Sequence, residues 1–176
     1  MIKDLMDRME DIEYGFKDEE GNNILTTDLK KWDDHFNDFY YLQTPEELLK
    51  SKCGVCWDQV ELEREYFEKK NIPHKTYFVM LSDDDMLPSH TFLTFEKDNI
   101  CYWYEHSWNA YCGIQEYLSE EELLKDVMEK FRKSHPEVKK DAPLYLYEYE
   151  KPKYHITCDE FYKYIETQKE IKTEES

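Results

Sequence analysis

Apolar residues along this chain come in short blocks separated by charged and turn-forming residues, and their spacing predicts one element after another. Ile2, Leu5, Met6, Met9 and Ile12 recur at helical spacing within residues 1–13. Glu19-Glu20-Gly21-Asn22-Asn23 has the composition of a turn. Thr44-Pro45-Glu46-Glu47 carries a helix start: Thr to cap the free amides, Pro where no N–H is needed, and Glu at the third position, as in a capping box. Gly54 is expected to interrupt that helix. Residues 56–70 are rich in helix formers, with Val60, Phe67 and the stem of Arg64 toward one face, and Asn71-Ile72-Pro73 ends the segment.

Three strand-length runs of β-branched and aromatic residues follow, over 75–82, 90–96 and 100–106. Asp83-Asp84-Asp85, Lys97-Asp98-Asn99 and the residues from Ser107 onward supply the turns between and after them. Ser119-Glu120-Glu121-Glu122 opens a second helix whose apolar positions, Leu123, Leu124, Val127, Met128 and Phe131, keep the 3.6-residue period up to Pro136. A further strand is predicted over 144–149, with Tyr145, Tyr147 and Tyr149 on one face, then a short helix over 159–167. Helix, three neighbouring strands, helix, strand, helix is the order of an α+β fold with a mostly antiparallel sheet. We read one domain over residues 1–166, its core in 45–150, and a polar tail over 167–176.

Composition narrows the function classes. Aromatic residues are 16% and apolar residues 40% of the chain, enough for a buried core although 36% is charged. Forty-one Asp+Glu against 23 Lys+Arg leave a net charge of −18, which disfavours nucleic acid and anionic membranes as partners, because both are held through Lys and Arg. The four glycines stand too far apart for a dinucleotide fingerprint, a Walker A loop or a G-x-S-x-G elbow, and H-E-x-x-H is absent. Charged residues recur too often in residues 1–16 for a signal h-region or a membrane span. Five cysteines, an odd count, suit free thiols in a reducing compartment, and we expect a cytoplasmic protein that uses no cofactor.

Cys56 stands where the Gly54-Val55 break meets a helix start, and the unpaired amides and positive dipole end of a helix favour a thiolate there. Asp58 and Glu61, in and just after the first turn, oppose this, so the thiol needs an imidazole as ion-pair partner or base. The strands supply one. A turn centred on Lys97-Asp98 sets Thr94 opposite Cys101, Phe92 opposite Trp103 and His90 opposite Glu105, which brings a carboxylate within reach of the imidazole.

Gly54-x-Cys56-Trp57 at a helix start, His90 opening the strand HTFLTF, and an acid at the end of the next strand, YWYEHSW, together resemble the core of the transglutaminase-like superfamily. That superfamily is a circularly permuted relative of papain-type cysteine peptidases. The resemblance covers residues 45–115, and CGVCWDQVELE is similar to small bacterial and mobile-element members of unassigned substrate. It implies a nucleophile-bearing helix packed on the sheet, with Cys56 as acyl-forming nucleophile, His90 as base and then acid, and Glu105 orienting the imidazole. The substrate implied is a protein or peptide amide, with water or an amine as acceptor. One position departs: the third member is usually Asp in an Asp-Pro-Thr-like setting, whereas here Glu105 precedes His106 and Ser107. An oxyanion hole would use the backbone amide of Cys56 and an upstream side chain, Gln43 or Trp32. Trp57, Trp103 and Trp108 are candidates to wall the substrate cleft.

Other readings stand beside these. Cys56 is also compatible with a small buried hydrophobe in a non-catalytic interaction module of the same fold. Cys53-Gly54-Val55-Cys56 has the spacing of half a zinc site or a redox pair. His106, Cys112 and Cys101 show no second paired spacing, however, and the helix ahead of the motif does not fit a thioredoxin setting. Asp83-Asp84-Asp85 lacks the spaced ligands of a calcium loop and reads as a solvated turn.

Overall fold

The structure is a computed structural model and describes residues 2–27, 29–84 and 86–173, without the side chains of 29–31, 33 and 34. Its helices are α1 (Lys3–Met9), α2 (Leu29–Phe39), α3 (Pro45–Ser51), α4 (Cys56–Lys69), α5 (Glu120–Lys133) and α6 (Cys158–Glu166). Its strands are β1 (Gly15–Lys17), β2 (Asn23–Leu25), β3 (His74–Leu81), β4 (Ser89–Lys97), β5 (Ile100–Glu105), β6 (Gly113–Tyr117), β7 (Leu144–Glu148) and β8 (Lys169–Ile171). β1 and β2 form a hairpin. The other six make an antiparallel sheet in the order β6-β5-β4-β3-β7-β8. The α+β class with an antiparallel sheet is therefore as expected from the sequence.

Strand alternation splits the core between two faces. Tyr77, Val79, Leu81, Phe92, Trp103, Leu144 and Leu146 pack on one side under Leu123, Val127 and Phe131 of α5. Leu93, Phe95 and Tyr104 face the other side and meet Leu62 and Phe67 of α4 together with Leu5 and Met9 of α1. Trp57, Val60 and Phe78 continue that layer to Phe161 of α6. The central helix is thus enclosed by the sheet, α1 and α6, and most of its residues are buried.

Local signals explain most boundaries. The Thr44 hydroxyl accepts from the Glu47 amide and the Glu47 carboxylate from the Thr44 amide, and Thr157 with Glu160 repeats the box at α6. α3 ends earlier than Gly54, because Lys52 takes the left-handed conformation (φ 55°) and its amide caps on the Leu48 carbonyl. The β4–β5 turn is Asp98-Asn99, both at positive φ as a two-residue type I′ turn requires, so the register pairs Thr94 with Trp103 and Glu96 with Cys101. This corrects the expected register by two residues. The 167–176 tail is corrected too: Lys169–Ile171 forms β8, with Ile171 paired to Leu146 and packed on the α5-side core, while 174–176 lie outside the described residues. Asp85 also lies outside them, and the acidic turn is seen through Asp83 and Asp84, both paired with Lys139.

Candidate active site

Cys56 opens α4, and its amide, at the first helical position, has no intrahelical acceptor. The loop before it is fastened from two directions. Asp58 turns back to accept from the Val55 amide (2.9 Å), the Gln43 amide (2.9 Å) and the Tyr40 hydroxyl (3.1 Å). The N-terminal segment runs alongside as a short parallel bridge between Glu13 and Cys53, with Gly54 N–H donating to the Glu13 carbonyl (3.0 Å) and Gly15 N–H to the Gly54 carbonyl (3.4 Å). The approach is close enough that a Cβ at Gly15 would lie 2.4 Å from the Ile24 carbonyl oxygen and 2.6 Å from Cys53 Sγ. Gly54 is as tightly set, its Cβ position 2.5 Å from a Leu48 methyl.

Three side chains named from the sequence come together here. His90, at the start of β4, hydrogen-bonds Cys56 and places Nε2 2.7 Å from Glu105 Oε2. The two-residue register slip keeps Glu105 on the same sheet face, and its carboxylate reaches His90 diagonally. Its other oxygen accepts from the Ser107 hydroxyl (3.1 Å) and the Trp108 amide (3.0 Å), so both Glu105 oxygens are held. Cys56, His90 and Glu105 are 2%, 8% and 3% exposed.

Burial and charge act against each other in this group. Burial favours a neutral thiol, yet the hydrogen bond and positive charge of His90, helped by Thr91, bring the Cys56 pKa below its ordinary value. Burial likewise disfavours the imidazolium, but Glu105 and the thiolate outweigh it and raise His90. Each shift supports the other, as in a thiolate–imidazolium pair. The opposition expected from Asp58 is weakened, because burial lifts its carboxyl to about 7 despite three donors. Glu61 is lifted as well and is paired with Arg64.

The tryptophans separate. Trp57 is core, stacked on Phe161 at 4.1 Å, and Trp103 is fully buried among Phe92, Trp108 and Tyr111, so neither walls a cleft. Both are large apolar rings on inward positions, where the core outcompetes the surface. Trp108 does stand at the site, edge-on to His90 (5.2 Å, 70°), and lines a cleft of about 280 Å³ with His90, Ser89 and His135. Gln43 is not a free donor, because its amide is committed to the Cys53 carbonyl at 2.7 Å and its oxygen accepts from Ser51. Trp32 packs its indole on the ring of Tyr14 (5.7 Å, 13°). The two cysteines of the C-x-x-C diverge, Cys53 toward the Phe16 carbonyl and Cys56 toward His90. Among the described residues no group of three His, Cys, Asp or Glu is placed to hold a metal.

Sequence reasoning missed two groups. Tyr14, delivered by the Glu13–Gly15 bridge, puts its hydroxyl 3.7 Å from Cys56 Sγ as donor. It borders both the small cleft and a larger one of about 620 Å³, whose walls carry Asp7, Glu10, Glu13 and Glu105. Gln59, one turn after Cys56, donates to the Gly54 carbonyl (3.0 Å) and shares a 2.6 Å bond with His106 Nδ1. No sequence signal marked Tyr14, since only the docking of a distant segment brings it to the thiol. In comparisons with known proteins, no family model, curated protein sequence or solved structure matches this chain. Among the described residues no helix is long and apolar enough to cross a membrane.

Proposed function

We propose that the protein is a cysteine-dependent acyl-transfer enzyme, with a core resembling that of the transglutaminase-like superfamily, acting on a protein or peptide amide. The observation that carries this reading is the Cys56–His90–Glu105 relay at a helix N-terminus, with the thiol pKa lowered and the imidazole raised. Cys56 Sγ attacks the amide carbon. The C–N bond breaks as His90 passes its proton to the departing amine, leaving a thioester on Cys56. Water or a second amine then gives its proton to His90 and attacks the thioester, which returns the thiol. Glu105, fixed by Ser107 and Trp108, holds the imidazole in the orientation both steps need. The carboxylates along the larger cleft repel anionic substrates and suit a basic peptide or protonated amine.

The test is alkylation of each cysteine as a function of pH, mapped by peptide mass, in the wild type and in His90→Ala. Cys56 is expected to react fastest below about pH 7 and to lose that advantage in the variant. A second reading, a binding module that keeps the fold without catalysis, is favoured by one observation: the thiol is buried, with Tyr14 beside it. An ordinary Cys56 titration, unaffected by His90→Ala, would select it.

A further inference from the structure

The geometry points to Tyr14 as the side-chain half of the oxyanion hole, its phenolic hydroxyl donating to the carbonyl oxygen of the acyl group as that oxygen gains charge. The inference rests on the acyl-transfer reading and supplies the side-chain donor that Gln43, committed to the Cys53 carbonyl, does not. A carbonyl carbon bonded to Cys56 Sγ carries its oxygen one bond further out. A donor 3.7 Å from Sγ therefore stands where it can approach that oxygen to the usual range of about 2.7–3.1 Å. The backbone amide of Cys56, which at rest hydrogen-bonds the Tyr14 oxygen, offers the second donor from the helix end, so the two donors stand side by side next to Sγ.

Tyr14 is held in place before any substrate arrives. On one side Glu13 N–H donates to the Lys52 carbonyl (2.9 Å) and its carbonyl accepts from Gly54; on the other, Gly15 N–H donates to Gly54. The ring itself stacks on Trp32. A donor fixed this way needs little reorganisation when charge develops, which is what makes such groups effective. Burial, then the adjacent Cys56, push the phenol pKa well above its ordinary value, so the hydroxyl keeps its proton and acts as donor throughout. In the step itself the Sγ–C bond forms, the carbonyl electron pair moves onto oxygen, and Tyr14 O–H and Cys56 N–H hold that oxyanion. The pair then returns as the C–N bond breaks, and Tyr14 ends as it began.

The experiment compares two reactions at Cys56, acetylation by p-nitrophenyl acetate, which forms an oxyanion, and alkylation by iodoacetamide, which does not. Both are measured at a pH above the thiol's titration, in wild type and Tyr14→Phe. The expected result is a fall of about 100-fold or more in acetylation with alkylation within a few-fold of wild type. Equal acetylation in the two proteins overturns the assignment, as does a parallel fall in both reactions, which would mark a structural role. A parallel rise would show that Tyr14 blocks the thiol, and overturns it too. If Tyr14→Phe does not fold, fluorotyrosines introduced at position 14 alone replace it. Acetylation should then change with phenol acidity while alkylation stays flat, and no change in acetylation overturns the role. If wild-type Cys56 takes no acetyl group, the acyl-transfer reading itself falls; if it does and Tyr14→Phe matches it, only the role of Tyr14 falls.

Discussion

α4 and α5 are both 14 residues long, pack on opposite faces of one sheet, and differ in almost everything else. α5 buries Leu123, Val127, Met128 and Phe131 and turns most of its charges to water, with Ser119 capping its start. α4 buries eleven residues, among them Asp58, Glu61, Glu63 and Arg64, so its charges must be matched inside the protein. Arg64 forks onto both oxygens of Glu61 and also donates to Thr76, while Asp58 takes three donors. Glu63 has one oxygen without a partner, and burial followed by the charge of Glu105 pushes its pKa well up, which favours the neutral acid. α5 holds the sheet mainly by apolar contact, with Glu120 accepting from Lys75 and Tyr77 and Asp126 from Tyr117 at its partly exposed edge. α4 keeps a set of desolvated polar groups around the Cys56 thiol, which costs stability and fixes geometry.

The largest effect that separates the two helices is expected from Arg64→Met. It leaves Glu61 buried without its partner and should destabilise by about 3–5 kcal/mol in chemical denaturation. Adding Glu61→Leu should return much of that loss, and a double variant no better than the single would break the comparison.

A smaller, pH-dependent effect belongs to Asp58. Its folded pKa lies above the unfolded value of 3.8, at about 7, so the native state holds the proton more tightly. The carboxyl therefore favours folding most at low pH, and that contribution is lost as pH rises from about 4 to about 7, with a slope of at most about 1.4 kcal/mol per pH unit. Asp58→Asn should remove this slope from the stability profile, at a cost of about 1–2 kcal/mol for the lost cap at Val55. Identical profiles for variant and wild type would show that the carboxyl does not titrate in this window.

The smallest effect is on α5, where Lys125→Ala, on a side chain facing solvent, should change stability by no more than about 0.5 kcal/mol.

The same contrast explains what was legible. α5 was readable because period, cap and Pro136 agree, and the start of α3 and the extents of α6, β4 and β7 follow from equally local signals. Cys56, His90 and Glu105 were readable because a helix start and strand parity are also local. Parity survived even when the turn moved to Asp98-Asn99, since a two-residue slip leaves every side chain on its face. The fate of Trp57 and Trp103 depended on which apolar rings the core claims, and spacing does not rank them. Gln43 carries a free-looking amide in sequence, yet the Cys53 carbonyl needs a donor and takes it. Tyr14 arrives through backbone pairing between segments about forty residues apart, which no local window contains.

The burial of the relay also sets how the molecule responds to salt. Surface carboxylates act on partners through solvent, and mobile ions damp that action beyond about 8–10 Å at ordinary ionic strength. The His90–Glu105 pair is in direct contact at 2.7 Å and nearly buried, so mobile ions weaken it far less. For the acyl transfer proposed above, raising salt should therefore slow the encounter with a basic substrate while leaving the titration of Cys56 in place, so ionic strength would separate arrival from chemistry.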